Sequence, residues 1–535
     1  MNKEIKEKIK KIADSDVSLG ISNKFSEDDK RLKTFSYDFS GVYFDFSKTH
    51  VSKELLACYQ SYADSINFNV MREQLFSGER INSTENRSVL HMLLRDSNNQ
   101  NVDIVEDGVI EQAKKSESDF FEKYDEIISN LDKRDEPIKD IIHVGIGGSS
   151  LGTQLVFEAL KELNSDINVH FISNIDAHKL TTVLNSCSVK NTLLIGISKT
   201  FTTAETLQNI NTVGKWFDKH GVEQWRQKLL AVTANPDNAL EFGLNKDNIV
   251  GFPEWVGGRY SVWSAVSLSA VIAIGMDAFK EFLKGAAEMD EHFYQTPLDQ
   301  NICFISAALD HYYSNFLGVR SRAIFPYDDR LRSLVYYLQQ LETESNGKDR
   351  QRDGSPVDQT TSVVIWGGIG TDVQHSVFQM MHQGTSMIPA EFILIKKPNH
   401  EYDDHHSELL ANGLAQTAAL LSGQDLATVK KLNEGKEVSE IKLKAKIFSG
   451  ERPSTTILLD QLTAKNLGAL LACYEHRTFC LGVFLNINSY DQMGVELGKR
   501  LAKTISPYLD DDNELDVENS GLDNSTIELI RRVTN

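Results

Sequence analysis

The sequence predicts an α/β protein with two domains, each a mainly parallel sheet sandwiched by helices, and with helical N- and C-terminal segments. Short apolar runs that end in polar or glycine-rich turns alternate with amphipathic stretches of helical spacing. This alternation occurs in two separate series, one from about position 100 to 260 and one beginning near Arg322. Strand, polar turn and helix in repeated order are typical of a parallel sheet covered by helices.

The order of these patterns divides the chain into five segments. We expect a mostly helical N-terminal segment (1–100), a first α/β domain (101–263), a helical connection (264–313), a second α/β domain (314–490) and a C-terminal helical segment (491–535). Alternating apolar residues from Lys33 to Phe46 predict a small hairpin within the first segment. The acidic stretch from Asp510 is expected to be a solvated loop.

Composition excludes several classes of function. The net charge of −20 disfavours a general nucleic-acid or anionic-membrane binder. Five scattered cysteines without a CxxC motif predict reduced thiols, with neither a disulfide framework nor a zinc cluster. The charged N-terminus lacks a signal sequence, and no apolar run reaches about 18 residues, so we expect a cytoplasmic protein without a membrane span.

Seven strands are predicted from the apolar runs. In the first series they are Asp140–Val144, Val169–Ile172, Thr192–Ile197 and Lys228–Thr233, and in the second Ala323–Tyr327, Thr361–Trp366 and Glu391–Ile395. The first strand runs into Gly145–Gly152, which is neither a dinucleotide fingerprint, because Ser150 stands where glycine is needed, nor a P-loop. This glycine turn, with Ser149 at a helix start, suits a phosphate or hydroxyl, and a plain tight turn is equally consistent with it.

The stretch Ser198-Lys-Thr-Phe-Thr-Thr203 places four hydroxyls and one lysine between a strand and a helix. Thr202 and Glu205 have the spacing of a capping box, which would account for one hydroxyl. A phosphate accepts many hydrogen bonds, and hydroxyls, amides and a helix N-terminus together suit it. The stretch therefore favours a phosphate site over capping alone.

Two charged residues stand in unusual surroundings. Arg259 follows two glycines among aromatic residues, which suits either cation–π packing or a preorganised cation for an oxyanion. Glu344 continues the apolar face of a predicted helix, with Gln340 one turn earlier and Asn346-Gly347 as the expected helix stop. A carboxylate on a buried face is costly unless it is paired or used, so Glu344 belongs either to a structural ion pair or to a site.

Several long motifs resemble those of the phosphoglucose isomerase family. Glu254–Ser264 and Gly482–Lys499 are similar to its two signature regions. Further motifs occur in the family's order: Gly145–Gly152, Ser198–Thr203, Glu344–Lys348 and Gln374-His375. The resemblance covers the chain from about Asn82 to Lys499. It implies two sugar-isomerase-type domains, reversible isomerisation of glucose 6-phosphate and fructose 6-phosphate, no metal or cofactor, and a homodimer.

The resemblance also implies a role for each matching residue. Glu344 matches the base that moves a proton between C1 and C2, and Arg259 matches the cation beside the enediolate. His375 and Lys499 match the residues that assist ring opening, with His375 supplied by the neighbouring subunit. The remaining matches are the phosphate loop (Ser198, Lys199, Thr200, Thr202 and Thr203) and the substrate contacts (Gly148, Ser149 and Gln340).

The sequence also departs from the family pattern. Gly368-Ile369 stand where Glu-Pro is usual and Asp372-Val373 where Asn-Gly is usual, so the loop before His375 is expected to take a different path. Thr343 and Met493 replace a usual Met and Trp. His382 is interpreted as a structural or interface histidine, and Glu342 as dispensable for the chemistry.

Two alternatives stay open at this point. A non-catalytic sugar-phosphate-binding regulator on the same fold would keep the hydroxyl loop, but the presence of Glu344, Arg259 and Lys499 favours the enzyme. An isomerase of broader range would also accept mannose 6-phosphate.

Overall fold

The computed structural model describes residues 1–96, 108–133, 137–161, 166–509, 517 and 520–534. The chain forms two compact units, Met1–Ser489 and Tyr490–Asn535. The first unit holds both sheets. The sequence pattern also predicts a helix after the glycine turn with Leu163 at the end of its apolar face. Leu163 and the acidic stretch 510–516 lie outside the described residues. The five-segment division stays a prediction.

Eleven strands are formed by the described residues, all in the first unit. They are β1 (Ser36–Phe39), β2 (Val42–Asp45), β3 (Asp140–Val144), β4 (Asn168–Ile172), β5 (Thr192–Ile197), β6 (Leu229–Thr233), β7 (Ile249–Gly251), β8 (Ser321–Pro326), β9 (Val364–Gly367), β10 (Ala390–Lys397) and β11 (Ser454–Gln461).

The first sheet has the strand order β4-β3-β5-β6-β7, and all its pairings are parallel. Every residue of β5 is buried, as expected for a central strand covered on both faces. The four strands predicted for this domain are confirmed within one residue at each end. The short edge strand β7 was missed.

The second sheet has the order β1-β2-β11-β10-β8-β9, with parallel pairing among β8 to β11. The predicted hairpin is confirmed as β1 and β2, and β2 pairs antiparallel with β11, Asp45 lying opposite Thr456. The N-terminal segment therefore completes the second sheet. Strand β11 was missed, and β9 begins at Val364, later than predicted.

The helices surround these sheets. In the first unit they are α1 (Lys3–Glu27), α2 (Arg31–Thr34), α3 (Lys53–Ser65), α4 (Phe68–Ser77), α5 (Val109–Asp132), α6 (Leu151–Leu160), α7 (Ala177–Ser186), α8 (Ala204–Lys219), α9 (Pro236–Glu241), α10 (Leu268–Ile274), α11 (Met276–Gln295), α12 (Ile302–Asn315), α13 (Leu334–Leu338), α14 (Phe378–Gln383), α15 (Asp403–Ser422), α16 (Leu426–Leu432), α17 (Glu440–Lys444) and α18 (Ala464–Phe484). In the second unit they are α19 (Glu496–Ile505) and α20 (Asn524–Thr534).

Helix α18 forms the centre of the first unit and is buried on all sides from Asn466 to Phe484. It packs along α11 so closely that a Cβ at Gly468 would lie 1.9 Å from the Phe282 carbonyl oxygen. None of the helices in the described ranges combines the length and the apolar character needed to cross a bilayer.

Two helix boundaries differ from the prediction. The helix expected to contain His375 begins only at Phe378, and His375 lies in the preceding 3₁₀ turn. The sequence pattern also places Gln492, Val495, Lys499 and Ala502 on one helical stripe, but α19 begins at Glu496, so Gln492 and Val495 lie outside the helix. In both cases a short 3₁₀ turn precedes the α-helix, Asp372–His375 before α14 and Met493–Val495 before α19.

Candidate active site

The two loops singled out in the sequence leave the same edge of the first sheet. The glycine turn follows β3 and the hydroxyl loop follows β5, and these strands are neighbours. Because the carboxyl ends of parallel strands meet at one edge, Gly145–Ser150 and Ser198–Thr203 lie side by side. This edge is the usual ligand-binding position of an open α/β sheet.

The glycine turn needs its glycines for close approach. A Cβ at Gly148 would lie 2.2 Å from the carbonyl carbon of Gly258, so the turn packs directly against the loop that carries Arg259. Gly147 has a positive φ of 58° and faces Gln340, whose Nε2 lies 3.0 Å from the position of a Cβ. The turn thereby brings Gly148 and Ser149 beside two other predicted site residues.

The side chain of His143 contacts the backbone of this turn, a role that the sequence analysis did not predict. Its Nε2 lies 2.8 Å from the Ser149 carbonyl oxygen and its Nδ1 lies 2.6 Å from Ser269 Oγ. Complete burial lowers the pKa of His143 to about 4, so the ring is neutral and donates one hydrogen bond to the carbonyl. A histidine in an apolar strand directly before a glycine turn was the signal that could have found it.

The hydroxyl loop is organised by its own side chains. Ser198 Oγ accepts a hydrogen bond from the Phe201 amide at 3.1 Å and lies 3.1 Å from Thr203 Oγ1. Thr200 and Thr202 are exposed, with their hydroxyl oxygens 2.8 Å apart. The loop therefore presents clustered hydroxyls at the start of α8.

The capping-box interpretation of Thr202 and Glu205 is wrong. The N-cap of α8 is Thr203, one residue later, and the hydroxyl of Thr203 is turned towards Ser198. A helix N-terminus carries amide groups without intrahelical partners and a partial positive charge. The amide groups at the N-terminus of α8 can therefore donate hydrogen bonds to an anion bound in the hydroxyl loop.

Lys199 joins the loop to the neighbouring segment. Its Nζ donates a hydrogen bond to the Val256 carbonyl at 3.0 Å, and Val256 lies three residues before Arg259. Burial, assisted by the charge of Arg87, lowers the pKa of Lys199 to about 8. The ammonium is thus held in a poorly hydrated place where an anionic ligand would be strongly attracted.

Glu344 ends a π-helical turn, Gln339–Glu344, that continues α13. The predicted apolar face is confirmed, because Leu334, Leu338 and Leu341 are all fully buried. The extra residue of a π turn rotates the following side chains relative to an α-helix, and such turns are frequent at functional sites. Here Leu341 still faces the core while Glu344 turns towards the loops of the first sheet.

Two other predicted residues contact the Glu344 carboxylate. Arg259 Nη1 donates to Oε1 at 2.8 Å, and Gln340 Nε2 donates to Oε2 at 3.1 Å. The Arg259 side chain is 2% exposed and that of Glu344 20% exposed. Each carboxylate oxygen therefore keeps a lone pair, and the carboxylate keeps an open side from which a ligand can reach it.

Arg259 donates hydrogen bonds to two further groups that the sequence analysis did not single out. Its Nε donates to Ser345 Oγ at 2.6 Å and its Nη2 donates to the Ser489 carbonyl at 2.5 Å. The Tyr260 hydroxyl lies 3.0 Å from the same Ser345 oxygen. With every edge of the guanidinium engaged, Arg259 has a fixed orientation towards Glu344.

The helix stop after Glu344 has a different cause from the one predicted. Gly347 does not adopt a left-handed conformation; a Cβ there would lie 2.4 Å from the Thr343 carbonyl oxygen. Asn346 ends the turn through its side chain, which donates to the Thr478 carbonyl at 2.9 Å and accepts from Ser489 Oγ at 2.7 Å. Glycine is required here for close packing.

Glu342 faces away from the site, as predicted, into a buried cluster of five charges. The cluster consists of Asp310 on α12, Arg322 on β8, Glu342, Glu391 on β10 and Arg477 on α18. Burial raises the pKa of Glu342. Burial also opposes ionisation of Glu391, but Arg477 and Arg322 together hold its pKa below the usual range. The cluster ties the Glu344 turn to two strands and two helices.

The side chains of His375 and Lys499 are both exposed. Within the described residues, His375 makes no hydrogen bond or ion pair with Glu344 or Arg259. Lys499 lies on α19 in the second unit, where its Nζ pairs with Glu496 at 3.0 Å. His382 lies 2.9 Å from Gln416 and packs on Phe378, which agrees with its structural interpretation.

Comparison with known proteins assigns the chain. The family model described as phosphoglucose isomerase matches residues 45–530. The chain belongs to the phosphoglucose isomerase family. A glucose-6-phosphate isomerase of Rhizorhabdus wittichii is 42% identical over 90% of this chain and 91% of its own length. One of Francisella philomiragia is 40% identical over 99% of this chain and 98% of its own.

A solved structure supports the same assignment. The crystal structure of a glucose-6-phosphate isomerase from Chlamydia trachomatis superposes with a TM-score of 0.84 at 27% identity, covering 99% of both chains. The predicted fold class and the resemblance to the phosphoglucose isomerase family are therefore confirmed.

Proposed function

We propose that this chain is a glucose-6-phosphate isomerase that interconverts glucose 6-phosphate and fructose 6-phosphate, in glycolysis and gluconeogenesis. The observation that carries the proposal is the Glu344 carboxylate fixed by Arg259 and Gln340, with Lys199 of the hydroxyl loop bonded to the segment that leads to Arg259. Moving a proton between adjacent carbons is redox-neutral, so the reaction itself calls for no redox cofactor. One positioned carboxylate can remove the proton from C2 and return it at C1.

In this proposal Arg259 stabilises the intermediate. As C2 loses its proton, negative charge develops on the oxygen of the enediolate. A buried guanidinium in a fixed orientation stabilises that charge without having to reorganise. Because Arg259 also holds Glu344, the base and the cation keep a constant spacing through both proton transfers.

The phosphate anchors the substrate in the hydroxyl loop. Ser198, Thr200, Thr202 and Thr203 supply hydroxyls, Lys199 supplies a charge, and the N-terminus of α8 supplies amides. The sugar then extends past Gly148 and Ser149 towards Gln340 and Glu344. Binding energy from this remote group can be used to position C1 and C2 at the base.

A coupled assay tests the proposed function. Purified protein supplied with fructose 6-phosphate, glucose-6-phosphate dehydrogenase and NADP⁺ should produce NADPH at a rate proportional to the amount of this protein. Absence of NADPH, with sugar phosphate still bound in a titration, would support the non-catalytic regulator. The same assay with mannose 6-phosphate as the sole substrate tests whether the enzyme accepts a broader range of sugar phosphates.

The charge of Lys199 should give the enzyme a decline in kcat/KM above pH 8. The sugar phosphate is a dianion above about pH 6, so between pH 7 and 9 the charge that changes is the ammonium. With its pKa at about 8, Lys199 is charged below that pH and neutral above it. Attraction for the phosphate therefore weakens as the pH rises, and kcat/KM reports the free enzyme.

Lys199→Arg is the control for this decline. Arginine stays charged throughout the range, so the variant should lose the decline near pH 8 whatever its absolute activity. Identical pH profiles for the two proteins would assign the decline to another group.

We also propose a homodimer in which His375 and Lys499 assist ring opening, His375 acting in the site of the partner. The exposure of His375 and its separation from the contacts of Glu344 support this arrangement. An exposed histidine in a short 3₁₀ turn is available to a second copy. A cytoplasmic location remains a prediction.

Subunit mixing tests the shared site. His375→Ala and Glu344→Gln should each be inactive, and co-refolded mixtures should recover up to one working site per heterodimer. Heterodimers can be isolated with two affinity tags. A purified heterodimer without activity above that of the parent variants would contradict supply of His375 in trans.

A further inference from the structure

The opposite edge of the first sheet collects three side chains of different chemistry. Asp140 begins β3, His170 lies in β4, and Cys187 follows α7. One carboxylate oxygen, one ring nitrogen and the sulfur of these residues all lie within 4.8 Å of one another. They are the one group of three or more His, Cys, Asp and Glu side chains in the described ranges with such spacing.

The fold explains why these residues meet. In the parallel register of β3 and β4, Asp140 pairs with Asn168 and Ile142 pairs with His170. Residues two apart on a strand share a face, so Asp140 and His170 are diagonal neighbours on one face. Helix α7 runs from the carboxyl end of β4 back to the start of β5, which returns Cys187 to the amino edge.

This cluster is separate from the active site. The glycine turn and the hydroxyl loop leave the carboxyl ends of β3 and β5, whereas Asp140 lies at the amino end of β3. Five residues of strand place the two ends roughly 13 Å apart. A change at Asp140, His170 or Cys187 is therefore not a change in the catalytic residues.

We propose that Asp140, His170 and Cys187 bind one divalent metal ion of the zinc class. Carboxylate oxygen, imidazole nitrogen and thiolate sulfur are the three ligand types that Zn²⁺ accepts, with bonds of about 2.0 to 2.3 Å. Ligand atoms around such a tetrahedral ion are about 3.3 to 3.8 Å apart, so small side-chain rotations would close the group. The His170 and Asp140 side chains are 24% and 16% exposed, which leaves an open side for a water ligand.

Charge balance supports this assignment. His170 Nε2 and Asp140 Oδ1 are 2.7 Å apart, so the imidazole and the carboxylate already face each other. A thiol that coordinates a cation of this class loses its proton and binds as the thiolate. One carboxylate and one thiolate then neutralise the two positive charges of the ion.

Cobalt binding tests the proposal directly. Full-length protein stripped with a chelator is titrated with Co²⁺, which should bind once per chain and give a thiolate-to-cobalt charge-transfer band in the near ultraviolet. Zn²⁺ should abolish the band by displacement. Binding should weaken as the pH falls, because protons compete for all three ligands.

Single variants identify the ligands. Cys187→Ser should remove the charge-transfer band, and His170→Gln should weaken Co²⁺ binding by at least about tenfold. His178→Gln is the matched control, because His178 and Asp176 form a similar pair at 2.7 Å. Cys58→Ser controls for a general thiol effect. Both controls should bind Co²⁺ as the unmodified protein does.

Two results would contradict the proposed metal site. One is a wild-type titration without a saturable one-to-one signal; the other is a charge-transfer band that persists in Cys187→Ser. Retained isomerase activity shows that a variant is folded, since the catalytic residues lie at the other edge. If Cys187→Ser fails to fold, His170→Gln and Asp140→Asn decide the question through the same titration.

Discussion

Glu344→Gln will lower kcat by about 10⁴-fold, the upper end of the contribution of a positioned acid or base. The amide keeps the shape of the side chain and its hydrogen bond from Arg259, but it cannot accept a proton from carbon. Both proton transfers pass through this one group, so the loss falls on kcat. Affinity for an unreactive sugar phosphate should stay within a few-fold of wild type, measured by calorimetric titration.

Glu342→Gln is the matched control for that change. It makes the same substitution two residues away, on a side chain directed into the ion-pair cluster. The cluster contains three carboxylates and two guanidinium groups, so replacing one carboxylate by an amide balances its charge. We expect a folded protein with nearly normal kcat. Substantial turnover by Glu344→Gln, or equal losses in both variants, would contradict the role of Glu344 as the base.

Arg259→Lys will lower kcat by about 10²- to 10³-fold, the usual effect of removing one oxyanion-stabilising donor. A lysine keeps the charge, but it cannot contact Glu344, Ser345 and Ser489 at once, so the fixed orientation is lost. The measurement is kcat and KM together with the affinity for a planar, negatively charged analogue of the enediolate.

The contrast between ligands separates catalysis from folding in that variant. Affinity for the enediolate analogue should fall far more than affinity for a saturated sugar phosphate. A purely structural defect would weaken both to the same extent and lower the thermal unfolding midpoint. Equal losses for the two ligands would therefore reject Arg259 as the cation beside the intermediate.

The strands of the first, parallel sheet were predictable because each one has a local sequence pattern. Thr192–Ile197 is an unbroken apolar run, and such a run between turn signals is typical of a strand buried on both faces. Strand β11 pairs with β10, 64 positions earlier in the chain, and with β2, about four hundred positions earlier, and it was missed in the sequence. Pairing over such a distance depends on the whole fold and leaves no local pattern.

Sequence patterns drew attention to the polar and charged residues of the candidate site, but not to the groups that hold them in place. Hydroxyls, Arg259 and Glu344 stood out because polar groups in apolar surroundings call for a reason. Ser345 and the Ser489 carbonyl did not, since each contacts Arg259, which lies far away in sequence. The helix stop at Asn346-Gly347 was predicted at the correct position, and only the left-handed conformation expected of Gly347 was wrong, because the backbone of Thr343 lies too close for a side chain there.

The five-charge cluster bears on how the molecule moves during a catalytic cycle. Removing one partner from a buried ion pair costs about 3–5 kcal/mol, and Arg322 and Arg477 share carboxylates from a strand, a helix and the turn that carries Glu344. The turn that carries Glu344 therefore cannot move away from the core unless the second sheet and α18 move with it. Its amide hydrogens should exchange with solvent as slowly as those of β8 and β10, so substrate entry and product release must rely on motions elsewhere.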